Sequence, residues 1–253
     1  VAIVTGAAGG LGREIALQLA ARGCIVGALD IAAEGAEETA ARCLQAAGRA
    51  FAIVADLTAD DACGDTVQSV LQKFGRIDIL VNNAGYGVVQ PFLEMTPALW
   101  ERTFAVNVTA LALLSAAAGR AMRDRRAGRI INITSPASRM ALPNYAAYAA
   151  SKAAVDAVTR AAALALAPYG VLVNSVAPGM MDTEMQRSTE AEIARLEGRT
   201  DIDAFLAERT RRIPLGRRAG VEEVAAGVVW LALDAPDYIT AERLNLSGGL
   251  DRD

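Results

Sequence analysis

The chain contains no histidine. That removes the commonest acid–base side chain of neutral pH and excludes a Ser-His-Asp triad. Any zinc site would be left to Cys, Asp and Glu alone, so no metal is expected. Cysteine is scarce: Cys24, Cys43 and Cys63 form no CxxC pair. Such a set argues against a disulfide framework and fits a reducing cytoplasm. Aromatics make up only 5% of a chain that is 53% hydrophobic, so the core must be mainly Ala, Val, Leu and Ile. Excess positive charge is also absent. A net charge of −4 offers no footprint for nucleic acid or an anionic membrane, and the cluster Arg123, Arg125, Arg126 and Arg129 reads as a solvated helix end. No apolar run reads as long enough to span a bilayer, and no signal peptide is visible. The chain opens directly on the strand-like VAIVTG, which implies that residues precede Val1 in the natural protein and leaves a lost leader open.

What is present is an alternation. Short β-branched runs at 1–5, 24–29, 51–55, 77–81, 129–134, 171–176 and 243–246 are separated by Ala-rich stretches of helical spacing near 11–22, 33–47, 60–74, 97–118, 145–167 and 222–233. The strands are almost wholly apolar, the pattern of a parallel sheet covered on both faces. The 253 residues suit one large α/β domain. The expected fold is a doubly wound, seven-stranded parallel sheet of Rossmann type, built from right-handed crossovers. No linker or repeat divides the chain, so one dinucleotide-binding domain over 1–253 is expected. The segment at about 179–216 is polar, rich in Arg and Glu, and too long for an ordinary βα loop. It reads as an insertion able to cover a site, with helical spacing over 188–212.

The stretch TGAAGGLG, Thr5 to Gly12, follows the first strand and opens the first helix. Gly6, Gly10 and Gly12 permit a tight turn and close approach of backbone to a pyrophosphate, and the helix N-terminus supplies free N–H groups. Gly9 and Gly10 could also merely make a turn, but the strand–loop–helix context favours a dinucleotide. Asp30 ends the second strand, 24 residues after Gly6. An acid there can accept hydrogen bonds from ribose hydroxyls and repel a 2′-phosphate. With no Lys or Arg in the loop before Gly10, the reading is NAD, with NADP less favoured. Asp56, after the third strand, either caps the next helix or meets the adenine edge.

In NYAAYAASK, Tyr148 and Lys152 stand at i and i+4 on one helix and share a face; Tyr145 lies seven residues from Lys152. Spacing therefore prefers Tyr148. A free phenol, with a pKa of about 10, is too weak a base at neutral pH, but an ammonium and a cationic nicotinamide both favour its ionised form. Tyr148 could then exchange a proton with an alcohol or carbonyl oxygen as hydride moves.

Taken together these motifs resemble the classical short-chain dehydrogenases/reductases, and the likeness covers essentially the whole chain. TGAAGGLG is similar to the family's TGxxxGxG loop, NNAG at 82–85 to its central-strand motif, YAASK to its YxxxK, and PGMMDT, Pro178 to Thr183, to its PGxxxT. Ser135 in INITS lies thirteen residues before Tyr148, and Asn107 in FAVNVTA matches the fourth catalytic position. The resemblance implies that Ser135 holds the substrate oxygen and that Tyr148 is the acid/base. Lys152 would bind the nicotinamide ribose and lower the tyrosine pKa, and Asn107 would hold a water in a proton relay. It further implies cofactor contacts at Thr5, Gly6, Gly9, Gly10, Leu11, Gly12, Asp30, Ile31, Asp56, Leu57, Asn83, Ala84, Gly85, Pro178, Gly179, Met181 and Thr183. Ser138 remains an alternative to Ser135. Two departures stand near the end of the chain: Ser247 in NLSGG occupies a position where an acid is common, and YITAERLN lacks a usual glycine. Both bear on subunit contacts rather than chemistry.

Substrate-facing candidates are Tyr86, Ser135, Pro136, Ala137, Asn144, Tyr145, Tyr148, Met180, Met181, Glu184 and Met185, with no obvious basic cluster for a phosphate or carboxylate. The sequence is read as a cytoplasmic NAD-dependent oxidoreductase of a polyol, sugar or other secondary alcohol. The alternatives are a 3-oxoacyl-thioester reductase and, less favoured, a dinucleotide-binding sensor without turnover. A homotetramer is expected, with a dimer as fallback. Its contacts would be made by the small residues Ala110, Ala112, Ala116, Ala117, Ala154 and Ala157.

Overall fold

A computed structural model describes residues 1–46 and 48–251. Seven parallel strands form one sheet: β1 (Ala2–Thr5), β2 (Ile25–Asp30), β3 (Arg49–Val54), β4 (Ile79–Asn82), β5 (Gly128–Ile133), β6 (Val171–Pro178) and β7 (Arg243–Leu246). Their spatial order is β3-β2-β1-β4-β5-β6-β7. The winding direction reverses between β1 and β4, so the connections leaving their C-terminal ends part there and open a crevice.

The apolar strand runs are explained by cover on both faces. Side chains alternate across a strand, and both sets are buried. Val4, Val81 and Ile131 face Ile15, Leu19, Val224 and Val228 on one side. Ile3, Leu80 and Ile130 face Val67, Leu114 and Met122 on the other. The covering helices are α1 (Gly10–Ala21), α2 (Ala33–Gln45), α3 (Ala62–Phe74), α4 (Pro97–Phe104), α5 (Leu111–Arg125), α6 (Ala146–Leu166), α7 (Glu184–Leu196), α8 (Ile202–Arg211) and α9 (Val221–Leu233). Local sequence sets several starts. Thr96 caps α4 by accepting from Leu99 N, with Pro97 at the first helical position. Thr183 accepts from Gln186 N at the start of α7, and Asp201 from Ala204 N at that of α8.

Three expectations change. The helix expected over 97–118 runs on to Arg125 and is interrupted by a π-helical turn at Ala105–Ala110. The continuous run Pro97–Arg125 is, by length and composition, long and apolar enough to cross a membrane, contrary to the sequence reading; it passes that test as a core helix does, through residues such as Leu114, Ala118 and Met122 that pack on the sheet. The helical spacing over 188–212 resolves into two helices, α7 and α8, separated at Gly198, whose φ of +65° suits glycine.

Candidate active site

A cleft of about 680 Å³ opens at the C-terminal ends of the central strands. Its inner wall is the glycine loop. Gly6 and Gly10 take φ of +65° and +51°, a left-handed conformation that costs other residues energy. A Cβ on Gly6 would stand 2.8 Å from Ala84 Cα, and one on Gly12 would collide with Gly6 O. By contrast, a Cβ on Gly9 would meet nothing within 4 Å. Gly9 is also the N-cap of α1 and makes no side-chain cap, and the first turn carries no acid. The cradle is therefore open and presents unsatisfied N–H groups to the cleft, the donor set a pyrophosphate requires. At the rim, Asp30 accepts from Ala8 N at 2.9 Å and Ala32 N at 3.0 Å, leaving further lone pairs for ribose hydroxyls. Arg13, which follows the loop, is engaged with Thr39, Glu38 and Ala8 O. The residues present fit a nicotinamide dinucleotide.

Thr5 is buried away from the wall. Its Oγ1 accepts from Asn83 N at 3.0 Å and Ala84 N at 2.9 Å, while Asn83 Nδ2 donates to Thr5 O and Gly6 O. These bonds stitch the ends of β1 and β4 together beneath the crevice. Ile31, Asp56 and Leu57 also fall outside the lining. Asp56 closes its own turn by accepting from Thr58 N and Oγ1, Leu57 packs on the core, and Ile31 is exposed. On the wall stand Leu11, Ala84, Gly85, Ala137, Asn144, Pro178, Gly179, Met181, Thr183 and Met185.

Ser135, Tyr148 and Lys152 converge in this cleft. Ser135 follows β5 and caps the 3₁₀ turn Pro136–Arg139, its Oγ accepting from Ala137 N at 3.2 Å. It also hydrogen-bonds the Tyr148 hydroxyl. Ser138 lies off the cleft wall, with Arg243 Nη2 3.5 Å from its hydroxyl. Lys152 Nζ donates to Ile133 O at 2.8 Å and sits 5.6 Å from the centre of the Tyr148 ring. Tyr145 has no such company. It stacks on Tyr148 with ring centres 4.4 Å apart and hydrogen-bonds Thr189 of α7. Geometry thus separates two tyrosines that spacing could only rank.

Asn107 is buried behind the wall, inside the π turn, a distortion frequent at functional sites. Its Oδ1 accepts from Tyr86 N at 2.7 Å, and its Nδ2 donates to Tyr86 O and Ser151 Oγ. Asn107 Oδ1 and Lys152 Nζ both lie within 3.7 Å of where a Gly85 Cβ would stand, so glycine there keeps the two polar ends within reach of one point. Tyr86 itself is outside the lining, its ring under Arg102 at 4.5 Å.

The electrostatics follow from burial. Burial pushes the Lys152 ammonium down to about 8, opposed by Asp156 one helical turn away. Burial pushes the Tyr148 phenol up, opposed by the hydrogen bond from Ser135; the protein alone therefore does not achieve the lowering expected of Tyr148. Tyr145 is raised as well, by burial first and then by Tyr148.

Sequence reading overlooked the wall that α7 and α8 supply: Thr189, Ile193, Glu197, Arg209 and Arg212, with Leu250 after β7. A signal existed, because Met185, Thr189, Ile193 and Glu197 recur every four residues and share one helical face. Arg209 and Arg212 also amend the reading that no basic residues gather there. Arg209 Nε is held by the buried Glu190, which Arg218 grips as well, and Arg212 bonds Glu208.

Comparison with known proteins agrees with this geometry. The family model described as short chain dehydrogenase matches residues 1–194. The chain is 38% identical to a 3-oxoacyl-[acyl-carrier-protein] reductase of Synechocystis sp., over 99% of this chain and 96% of that one. It is 36% identical to a sorbitol dehydrogenase of Cereibacter sphaeroides, over 98% and 96%. Among solved structures, NAD⁺-bound xylitol dehydrogenase superposes with a TM-score of 0.92 at 33% identity, covering 98% of this chain and 97% of that one. An actinorhodin polyketide ketoreductase with NADPH gives 0.95 at 31%, covering 100% and 97%. With the family model matching residues 1–194 and these relatives similar across almost the whole of its length, the chain belongs to the short-chain dehydrogenase/reductase family, whose members are NAD(P)-dependent oxidoreductases of CH–OH groups.

Proposed function

We propose that the protein interconverts a secondary alcohol, of polyol or sugar type, and its ketone, with NAD(H) as the cofactor. The observation that carries this is the convergence of Ser135, Tyr148 and Lys152 in one cleft with the open glycine cradle and the rim carboxylate of Asp30. A bound nicotinamide supplies the hydride acceptor, and its cationic ring supplies charge that favours the Tyr148 phenolate. Ser135 holds the carbinol oxygen and Tyr148 removes its proton. Lys152, poised near neutrality, compensates the phenolate and passes the proton on, and Asn107 anchors the Tyr86 backbone beside it. The segment 179–216, through α7 and α8, covers the substrate.

Hydroxyl-bearing substrates suit a wall that mixes Asn144, Thr189 and Glu184 with methionines. The sorbitol and xylitol dehydrogenases to which the chain is similar support the same class. The Synechocystis relative supports the second reading, reduction of a 3-oxoacyl thioester. Scarce, unpaired cysteines suit a cytoplasmic setting. A homotetramer, or at least a dimer, suits the groove between α5 and α6, lined by Ala112, Ala116, Gly119 and Ala162 and flanked by exposed Leu113 and Leu164. Ala110 and Ala117 are buried within their own subunit, whereas Ala112, Ala116, Ala154 and Ala157 remain on open faces. The deciding experiment is a turnover screen of polyols, sugars, hydroxy acids and acetoacetyl thioesters with both cofactors. Turnover confined to the thioester arm would replace the polyol reading, and none in any arm would remove both.

A further inference from the structure

Behind Ser135 lies a group of charges that the chemistry above does not use. Arg243 of β7, Asp156 of α6 and Asp251 after β7 have side chains only 9%, 11% and 3% exposed. Arg243 Nη1 lies 2.6 Å from Asp251 Oδ2, and Nε lies 3.5 Å from Asp156 Oδ2. Arg243 Nη2 donates to the backbone oxygen of Ser135 at 3.0 Å. Asp156 stands four residues after Lys152 on the same helix face and is the carboxylate whose field favours the Lys152 ammonium. The charges therefore alternate: Lys152, Asp156, Arg243, Asp251.

As a device for stability this arrangement is poor. Asp156 Oδ1 is buried without a partner, and Arg243 Nε and Asp251 Oδ2, though ion-paired, make no well-aligned hydrogen bond. Groups of this kind carry a large desolvation cost, so a buried ion pair is weak evidence of stabilisation. What the arrangement does supply is a guanidinium held between Asp156 and Asp251 whose Nη2 donates to the Ser135 carbonyl, and the Ser135 hydroxyl bonds Tyr148. Asp251 is itself held by its N–H donating to Ser247 Oγ at 3.1 Å. The same stretch touches the cover of the cleft: Gly248 O accepts from Leu215 N at 3.1 Å, and Leu250 lines the wall.

We propose that Arg243 and Asp251, with Asp156, are positioning residues for Ser135, so that the segment following β7 helps hold the hydroxyl network of the active site. Ser247, which stood out in the sequence as a matter of subunit contacts, is on this reading part of that support. The inference rests on the assignment of Ser135 and Tyr148 to the chemistry.

The test uses the full chain carrying Asp251→Asn, Arg243→Met, Arg243→Lys and the charge-balanced pair Arg243→Met with Asp156→Asn. Two readouts are taken: steady-state kinetics on whichever alcohol the screen yields, and hydrogen exchange by mass spectrometry over residues 134–140. Loss of one charge-assisted hydrogen bond to the Ser135 carbonyl predicts a drop in kcat of roughly 10- to 100-fold. The cofactor KM should stay within about threefold of wild type, since the glycine cradle is untouched. Exchange over 134–140 should quicken while that of the glycine loop does not. Arg243→Lys keeps the charge but not the fork, so it should restore the melting temperature without restoring kcat. If Arg243→Met does not fold, Asp251→Asn and the balanced pair carry the same two readouts. Unchanged kcat and exchange in the variants would overturn the proposal. So would a parallel fall in kcat, cofactor affinity and melting temperature, which is the mark of a brace for the whole fold. If the wild-type protein turns over nothing in the screen, the proposed function fails, and the exchange pattern still decides whether this cluster orders the Ser135 turn.

Discussion

Replacing Asp30 with Asn removes one negative charge from the rim of the cleft at little cost in shape. The structure shows what else changes. One carboxylate oxygen accepts from Ala8 N and the other from Ala32 N, and an amide can retain only one of these bonds. That loss, on the order of 1 kcal/mol, loosens the glycine loop and weakens both cofactors alike, so it cancels in their ratio. The charge does not cancel. A ribose 2′-phosphate carries about −1.5 to −2 at neutral pH. At ~5 Å from a carboxylate on a half-exposed rim, in surroundings closer to water than to a protein interior, the repulsion is on the order of 2 kcal/mol, or roughly 30-fold in affinity. Wild-type protein should therefore bind NADH at least that much more tightly than NADPH, and Asp30→Asn should close most of the gap, chiefly by tightening NADPH. Fluorescence or calorimetric titration of both cofactors at two salt concentrations measures it, with the wild-type gap narrowing at high salt. Tighter NADPH binding by the wild type, or a ratio that Asp30→Asn moves by less than about threefold, would refute the reasoning.

Tyr148→Phe should lower turnover by about 10²- to 10⁴-fold, the usual range for a general acid/base, with cofactor affinity preserved in titration; Tyr145→Phe, which loses its bond to Thr189, should act mainly on substrate KM. Gly87→Ala places a methyl group against the Tyr145 hydroxyl and 2.9 Å from Tyr148 Cδ2. It should cut kcat by roughly tenfold through the displaced tyrosine pair, and kcat at wild-type level would show that the pair moves freely. Lys152→Met should give a protein that is inactive yet no less stable at pH 7 by thermal melting. Burial holds Lys152 at about 8 against 10.5 in the unfolded chain, so between those values the unfolded state binds the extra proton and stability rises with pH. The penalty, roughly 3 kcal/mol, is present in full below pH 8, is relieved towards pH 10.5, and should vanish from the pH–stability curve of the variant. Ala241→Gly should raise stability by about 0.5–1 kcal/mol, because Ala241 holds a φ of +64° that is costly for a residue with a Cβ; a fall in denaturation midpoint would contradict this.

Much of this protein was legible in the chain itself because it is written in short-range spacing. Two-faced burial makes a parallel strand read as an unbroken apolar run, and all seven runs became strands. A strand, a glycine loop and a helix start are adjacent in sequence, so the cradle could be read directly. Tyr148 and Lys152 meet on one face because the helical repeat brings i to i+4. Tertiary structure alone decided what depends on residues far apart along the chain. It turned Thr5 inward to join β1 to β4, where the loop motif had suggested a contact. It set Asp56 against its own turn, accepting from Thr58 N and Oγ1, a partner that local sequence did not name. It separated Tyr145 from Tyr148 by giving one Thr189 and the other Ser135. It also brought Arg243 beneath Ser135, though the two lie more than a hundred residues apart. Local pattern records which face of an element is apolar, whereas a polar side chain's partner is set by which elements the fold lays side by side.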